Sequence, residues 1–268
     1  WSSRRCGCGC VADGAACKMV VFSIDRMLDL PRRTSIPGPG YIRLVARLAD
    51  VDVAPPGASL PDRLGQWIDW TRAVALSRAL DAAPAPVDVA AATPDADAAH
   101  DDCSRTRAAL AAAIAGDPRL APPVLRAGES VTAQFPDFEY FRACHRAHQQ
   151  AMQAQTGRLR GQLRDRLAAG PPAMVRLADV DAVLEGVLSP KEQSLLAIVP
   201  GLLHARFDRL RRAAGQPPGD AHADAADDAW LRTFRRDLRE ALLAELDVRF
   251  QPLEGLLAAL RHPGPWTP

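Results

Sequence analysis

Two long stretches of this chain repeat apolar side chains at the spacing of helical turns, and that repetition restricts its fold more than anything else. From Asp137 to Ala169 no proline intervenes, and Phe141, Cys144, His148, Met152, Leu159, Leu163 and Leu167 fall on one helical stripe. From Trp230 the same holds for Phe234, Leu238, Leu242, Leu246, Phe250, Leu253, Leu257 and Leu260. The second run advances 30 residues in eight steps, 3.75 per step. That is nearer the straight helix than the roughly 3.5 of a left-handed coiled coil, so bundle packing is expected rather than a zipper. The first run, as a helix, extends about 50 Å. A helix that long must lie against a partner of similar length, and the second run supplies it. Gly170 and Pro171-Pro172 stop the first helix. Pro252 within the second costs about 3 kcal/mol in an unbroken helix, which predicts a kink or restart at Gln251-Pro252.

Composition agrees with a helical chain. Alanine, the best helix former, supplies 50 of the 268 residues, whereas aromatic residues number 14. The basic residues are 31 Arg and 2 Lys, the bias a GC-rich coding sequence gives, so the arginine excess alone specifies no ligand. A net charge of +1 argues against a protein that coats nucleic acid. The most apolar stretch, "LLAIVPGLL" from Leu195 to Leu203, is too short for a membrane span and is interrupted by Pro200.

The expected architecture is all-α: an elongated bundle of six to seven helices, two of them long. An N-terminal helical pair occupies 34–82. Its first helix carries Tyr41, Leu44, Val45 and Leu48 on one stripe. Its second follows a candidate cap at Ser59 and places Leu64, Trp67, Ile68 and Val74 on one side. Trp67 and Trp70 could anchor a partner but read as core aromatics. Residues 83–100, "APAPVDVAAATPDADAAH", lack any period and read as a linker or long loop. The main bundle spans 101–262, followed by a tail at 263–268. Its first helix runs to Ala115 on a stripe of Cys103, Thr106, Leu110 and Ile114. Two shorter elements lie between the long ones. One places Val180, Leu184 and Val187 on a stripe, and the other starts at a capping box of Ser189, Pro190 and Glu192, with a kink at Pro200-Gly201.

The leader, 1–33, opens "WSSRRCGCGCVADGAACKMV" and holds four of the six cysteines. Its C-x-C-x-C-x6-C spacing is not the paired-knuckle pattern of structural zinc. Arg4-Arg5 and Cys17 suggest export or lipidation only superficially, because no apolar region accompanies them. A disordered segment upstream of a start at Met19 or Met27 is the expectation. Cys103 and Cys144 then remain, and two cysteines imply a reducing compartment and small core residues.

Patterns that carry chemistry are weak. His145 and His148 could share a metal, but no carboxylate stands at neighbouring helical positions, and they read as a surface or half-buried pair. There is no G-x-S-x-G and no phosphate loop. Asp227-Asp228 suits a solvated helix N-terminus. The expectation is therefore no catalytic residue, no cofactor and no metal. The strongest functional signal is charge segregation. Between Arg142 and Arg166 six arginines face one acid, Asp165. Arg158, Arg160 and Arg164 are the candidate partner-binding residues, with a second cluster at Arg232, Arg235, Arg236 and Arg239. Such a face suits an acidic protein or, as the alternative, the phosphates of a nucleic acid. Missing aromatics in the basic stretch count against single-strand binding. A homo-oligomer is compatible with the same pattern.

The segments "GPGYIRLVARLADVDV", "LGQWIDWTRAVALSRAL", "VDAVLEGVLSPKEQSLLAIVPGLLHARFDRLR" and "FRRDLREALLAELDVRFQPLEGLLAALR" resemble an uncharacterised all-helical family of high-GC proteobacteria, known only as a domain of unknown function. The resemblance runs from about Thr34 to Arg261 and supports a start near Met27. It implies a place beside an OmpA-like envelope protein and a large membrane protein. From that follows the expectation of a cytoplasmic accessory, adaptor or structural subunit, of an envelope or motor-like assembly. The resemblance brings no catalytic residue to carry over.

Overall fold

A computed structural model describes residues 40–50, 60–81, 95–121, 136–215 and 229–261. The leader, the tail at 263–268 and most of 83–100 lie outside the described residues. Among the described residues eight helices follow one another: α1 (Gly40–Ala49), α2 (Leu60–Trp67), α3 (Trp70–Asp81), α4 (Ala96–Ala115), α5 (Phe138–Ala168), α6 (Pro172–Leu196), α7 (Val199–Ala214) and α8 (Ala229–Arg261). The described residues contain no strand. The chain is all-α, as its periodicity requires.

The two long helices, α5 and α8, pack against each other. All eight apolar positions counted along the C-terminal run, from Phe234 to Leu260, are buried. α8 is the central element, touching α5, α4, α1 and α7. α6 lies on α5 and carries α3 on its other side. Tyr41, Leu44, Val45 and Leu48 of α1 join the same continuous core as Phe141, Leu163, Leu203 and Leu242. At one end Phe138, Phe141, Phe207, Phe234 and Trp230 form an aromatic knot of tilted and edge-on rings, with His204 stacked 4.4 Å from Phe138. Each such side chain, removed from water, contributes about 1.5–3 kcal/mol of transfer free energy.

Local signals and tertiary packing disagree at four places. α2 and α3 are separate helices, broken at Ile68-Asp69, because Asp69 acts as a cap. Its Oδ1 accepts the Arg72 amide hydrogen at 2.9 Å, and Oδ2 takes the Arg72 guanidinium at 2.6 Å. The loop expected through residue 100 ends earlier, since the Asp95 side chain accepts from the Ala98 amide and starts α4 at Ala96.

The capping box at Ser189 does not form. α6 runs unbroken from Pro172 to Leu196 with Pro190 inside it, and the break falls at Ala197-Ile198. Buried Val187 precedes Pro190 and buried Leu195 and Leu196 follow it, so burial on both sides holds one helix through the proline. α8 likewise passes through Pro252 without a restart, with Phe250 and Leu253 buried around it. By contrast Asp137 is a true cap of α5, accepting from the Tyr140 amide at 3.1 Å.

These assignments separate two substitutions that sequence alone treats alike. Asp137→Ala should cost about 1 kcal/mol in urea unfolding. Ser189→Ala, in mid-helix, should stay within about 0.5 kcal/mol. An equal loss at Ser189 would restore the helix start there.

Candidate functional site

The three candidate partner-binding arginines sit in different environments, because an α-helix puts residues 160 and 164 on one face and turns residue 158 to another. Arg158 is exposed, its guanidinium donating to the amide oxygens of Gln155 and Gln162. Arg160 is buried, and its fork grips Asp181 of α6 with Nε at 2.9 Å and Nη2 at 2.6 Å. Arg164 is half-buried beside it, pairing with Glu185 and reaching Asp181 at 3.4 Å. Two of the three are therefore struts between α5 and α6 and not docking groups. Their acids lie 17–21 residues downstream, outside any helical-turn spacing.

The second arginine cluster is divided too, with Arg232 and Arg236 exposed and Arg235 and Arg239 turned inward. The Arg235 guanidinium lies 5.8 Å over the Phe141 ring, and Arg239 donates to the Leu120 carbonyl at 3.0 Å. Buried Asp237 next to them accepts from Arg206 of α7 at 2.9 Å.

A polar seam runs inside the apolar interface between α5 and α8. Glu245 is fully buried, with His145 Nε2 2.7 Å from its Oε1 and the Gln149 amide donating to Oε2 at 2.8 Å. One helical turn further along α8, Arg249 reaches Glu192 of α6 at 3.0 Å. Burial raises the Glu192 carboxyl above its ordinary range, against the pull of the Arg249 and Arg160 charges. His145 and His148 thus do not converge on one ligand. They stand only about 60° apart round the helix, but His145 meets Glu245 of α8 and His148 meets Asp117 in the turn after α4.

That turn is built by Gly116-Asp117-Pro118-Arg119. Asp117 Oδ1 accepts the Arg119 amide hydrogen at 2.9 Å and its Nε at 3.0 Å, an Asx-type turn closed by a side-chain fork. Oδ2 receives Arg119 Nη2 at 2.7 Å, His148 Nε2 at 2.9 Å and Cys144 Sγ at 3.5 Å. The Arg119 fork holds the Asp117 carboxyl well below the usual carboxylate range, outweighing the opposing effect of burial. Burial and the adjacent Asp117 charge push the Cys144 thiol up to about 12. At neutral pH it is a thiol, not a nucleophilic thiolate. Asp117, Cys144 and His148 offer oxygen, sulfur and nitrogen within 4.8 Å of one another, the grouping that could hold a metal ion among the described residues. Sequence reasoning missed it because Asp117 precedes its partners by 27 and 31 residues.

One sequence reading fails on the surface. Trp67 is partly buried with Lys191 5.8 Å over its ring, but Trp70 is 83% exposed at the start of α3 and is no core aromatic. What remains outward on α5 is a strip of Arg142, Arg146, Gln150 and Gln153, with Arg158 also exposed but about 160° round the helix from Arg142. No described helix is long and apolar enough to cross a membrane.

Fold and site together define an all-α helical bundle whose long helices meet across buried polar side chains, His145 and Gln149 against Glu245. The chain belongs to the family described as a protein of unknown function, DUF3348, whose match covers residues 27–262. No curated protein and no solved structure matched the chain.

The Asp117 carboxylate makes its turn sensitive to acid. Its pKa is depressed in the fold, so its contribution to stability is present above the unfolded value near about 3.9 and is lost as pH falls below it. Urea unfolding should show Asp117→Asn less stable than the parent at neutral pH, with the gap closing as pH drops below about 4. A gap that stays constant into acid would deny Asp117 this role.

Proposed function

We propose that this protein is a non-catalytic helical adaptor or structural subunit, and that the outward face of α5 docks an acidic surface of a protein partner. The observation that carries this reading is that Arg142, Arg146 and Arg158 all lie exposed on α5, Arg142 and Arg146 along one flank and Arg158 about 160° round the helix from Arg142. Over some four turns the exposed surface presents these three guanidinium groups with glutamine and small residues and no carboxylate. Among the described residues Arg142 pairs with Glu139, near the start of α5, in an exposed contact of the kind worth about 0–1 kcal/mol. A partner's carboxylates can displace that contact at little cost. Glutamine and short side chains add donors and close approach without charge repulsion.

The bland role of the buried acid–base groups supports the non-catalytic half of the proposal. Among the described residues His145 and Gln149 bond Glu245, and Arg160 bonds Asp181, so these buried groups tie helix to helix. The resemblance to the proteobacterial family supports a cytoplasmic setting beside an envelope or motor-like assembly. Nucleic acid is the competing occupant of the same strip, and salt dependence separates the two.

The test reverses the exposed arginines only. The triple variant Arg142→Glu, Arg146→Glu, Arg158→Glu should keep parental helicity and melting temperature while losing a stoichiometric protein partner in native affinity capture. Unchanged capture would discard the strip as the docking face. Binding of duplex DNA or RNA that falls steeply between low and physiological salt, lost in the same variant, would transfer the face to phosphate recognition. Arg160→Glu does not belong in such a test, since it sets a second buried carboxylate against Asp181 and destabilises the bundle itself.

A further inference from the structure

The hydrogen bonding around Asp117 is over-subscribed. A carboxylate oxygen has two lone-pair directions, yet Oδ2 faces three donors: Arg119 Nη2 at 2.7 Å, His148 Nε2 at 2.9 Å and Cys144 Sγ at 3.5 Å. The Cys144 contact is at the long end of what a weak thiol donor makes. A thiol and an imidazole that crowd one buried oxygen are more naturally ligands of a common ion than rival donors to it.

The geometry has the form such a site needs. Cys144 and His148 stand four residues apart on α5, the spacing that puts two ligands on one helical face in zinc sites. Asp117 comes from a different element, the turn after α4, so the three ligands do not lie along one helix. Ligand atoms around a tetrahedral zinc-class ion are roughly 3.3–3.8 Å apart, given bond lengths of about 2.0–2.3 Å. Here all three lie within 4.8 Å, so small side-chain rotations bring them to that spacing. Cys144 is fully buried, and His148 and Asp117 are 12% and 7% exposed in their side chains, which leaves a narrow route from solvent on the imidazole side.

We propose that Asp117, Cys144 and His148 bind one borderline-soft divalent transition metal ion of the zinc class. Asp117 gives Oδ2, and His148 gives the Nε2 lone pair with its proton on Nδ1. Cys144 gives Sγ as the thiolate, its proton passing to solvent as the metal–sulfur bond forms. Asp117 Oδ1 keeps the Arg119 amide and Nε, so Arg119 remains the group that orients the ligand carboxylate. Two anionic ligands balance the dication, and the Arg119 charge stays at the rim, where its side chain is 30% exposed. Sulfur and nitrogen ligands with one carboxylate favour zinc-class metals over magnesium or calcium. Three protein ligands leave a fourth position for water or a small exogenous ligand. The ion pins the turn at 116–121 to α5, which makes it a clamp on the fold.

The leader cysteines could bind metal on their own, so the test removes them. Full-length protein carrying Cys6→Ser, Cys8→Ser, Cys10→Ser and Cys17→Ser is purified under reducing conditions and titrated with cobalt(II), then with zinc. The expected result is one cobalt per chain with an intense near-ultraviolet thiolate-to-cobalt band that zinc abolishes. Cys144→Ser should remove the band and Cys103→Ser should keep it. His148→Gln and Asp117→Asn should each weaken zinc by at least about tenfold, the loss that even an outer-shell partner can cause. Folded parent protein that takes up no cobalt overturns the proposal, whatever the variants do. So does a band that survives Cys144→Ser.

Discussion

Glu245 is the group on which the bundle depends. It sits fully buried in the middle of α8, where an unpaired carboxylate is not tolerated, and only His145 and Gln149 of α5 answer it. Apolar stripes alone leave two long helices free to slide by a turn, because leucines spaced by four residues meet leucines again after a shift. The buried polar group removes that freedom. We infer that the α5–α8 register is set by this contact, and that Arg160–Asp181 does the same for α5 and α6. In both cases what the pair contributes is specificity of alignment, while stability comes from the surrounding leucines and phenylalanines.

The functional consequence follows from the same economy. Charges that look like a basic docking face along the sequence are divided by the helix into two sets. Arg160 and Arg164 turn inward as struts, and Arg142, Arg146 and Arg158 turn outward and stay available. The packing of α5 against α8 and α6 is what holds that outward set in fixed positions. A docking surface held by a stiff helix binds with less ordering cost than one on a mobile loop.

The helices themselves were legible because they rest on periodicity. Each apolar position counted from Phe234 to Leu260 is buried, and the helix spanning Asp137 to Ala169 appears with its cap at Asp137. What misled were short motifs judged without their tertiary surroundings. Ser189-Pro190-x-Glu192 has every local mark of a helix start, yet burial of Val187, Leu195 and Leu196 carries the helix through it, and Glu192 turns to Arg249 instead of capping. Few aromatics make the tryptophan pair read as core, but Trp70, beside the cap at Asp69, stands in solvent.

The candidate site was mostly hidden, for one physical reason. Its partners are far apart in sequence: Asp117 with His148, His145 with Glu245, Arg160 with Asp181. Helical spacing reports which residues share a face, not which face meets which. The claim that the α5–α8 contact is specified by its buried polar group is open to a double-mutant cycle. His145→Leu and Glu245→Leu should each lose about 3–5 kcal/mol in chemical unfolding, and the double variant should lose far less than their sum. Additive losses would mean that the two side chains do not depend on each other, and the account of how these helices find their alignment would fail.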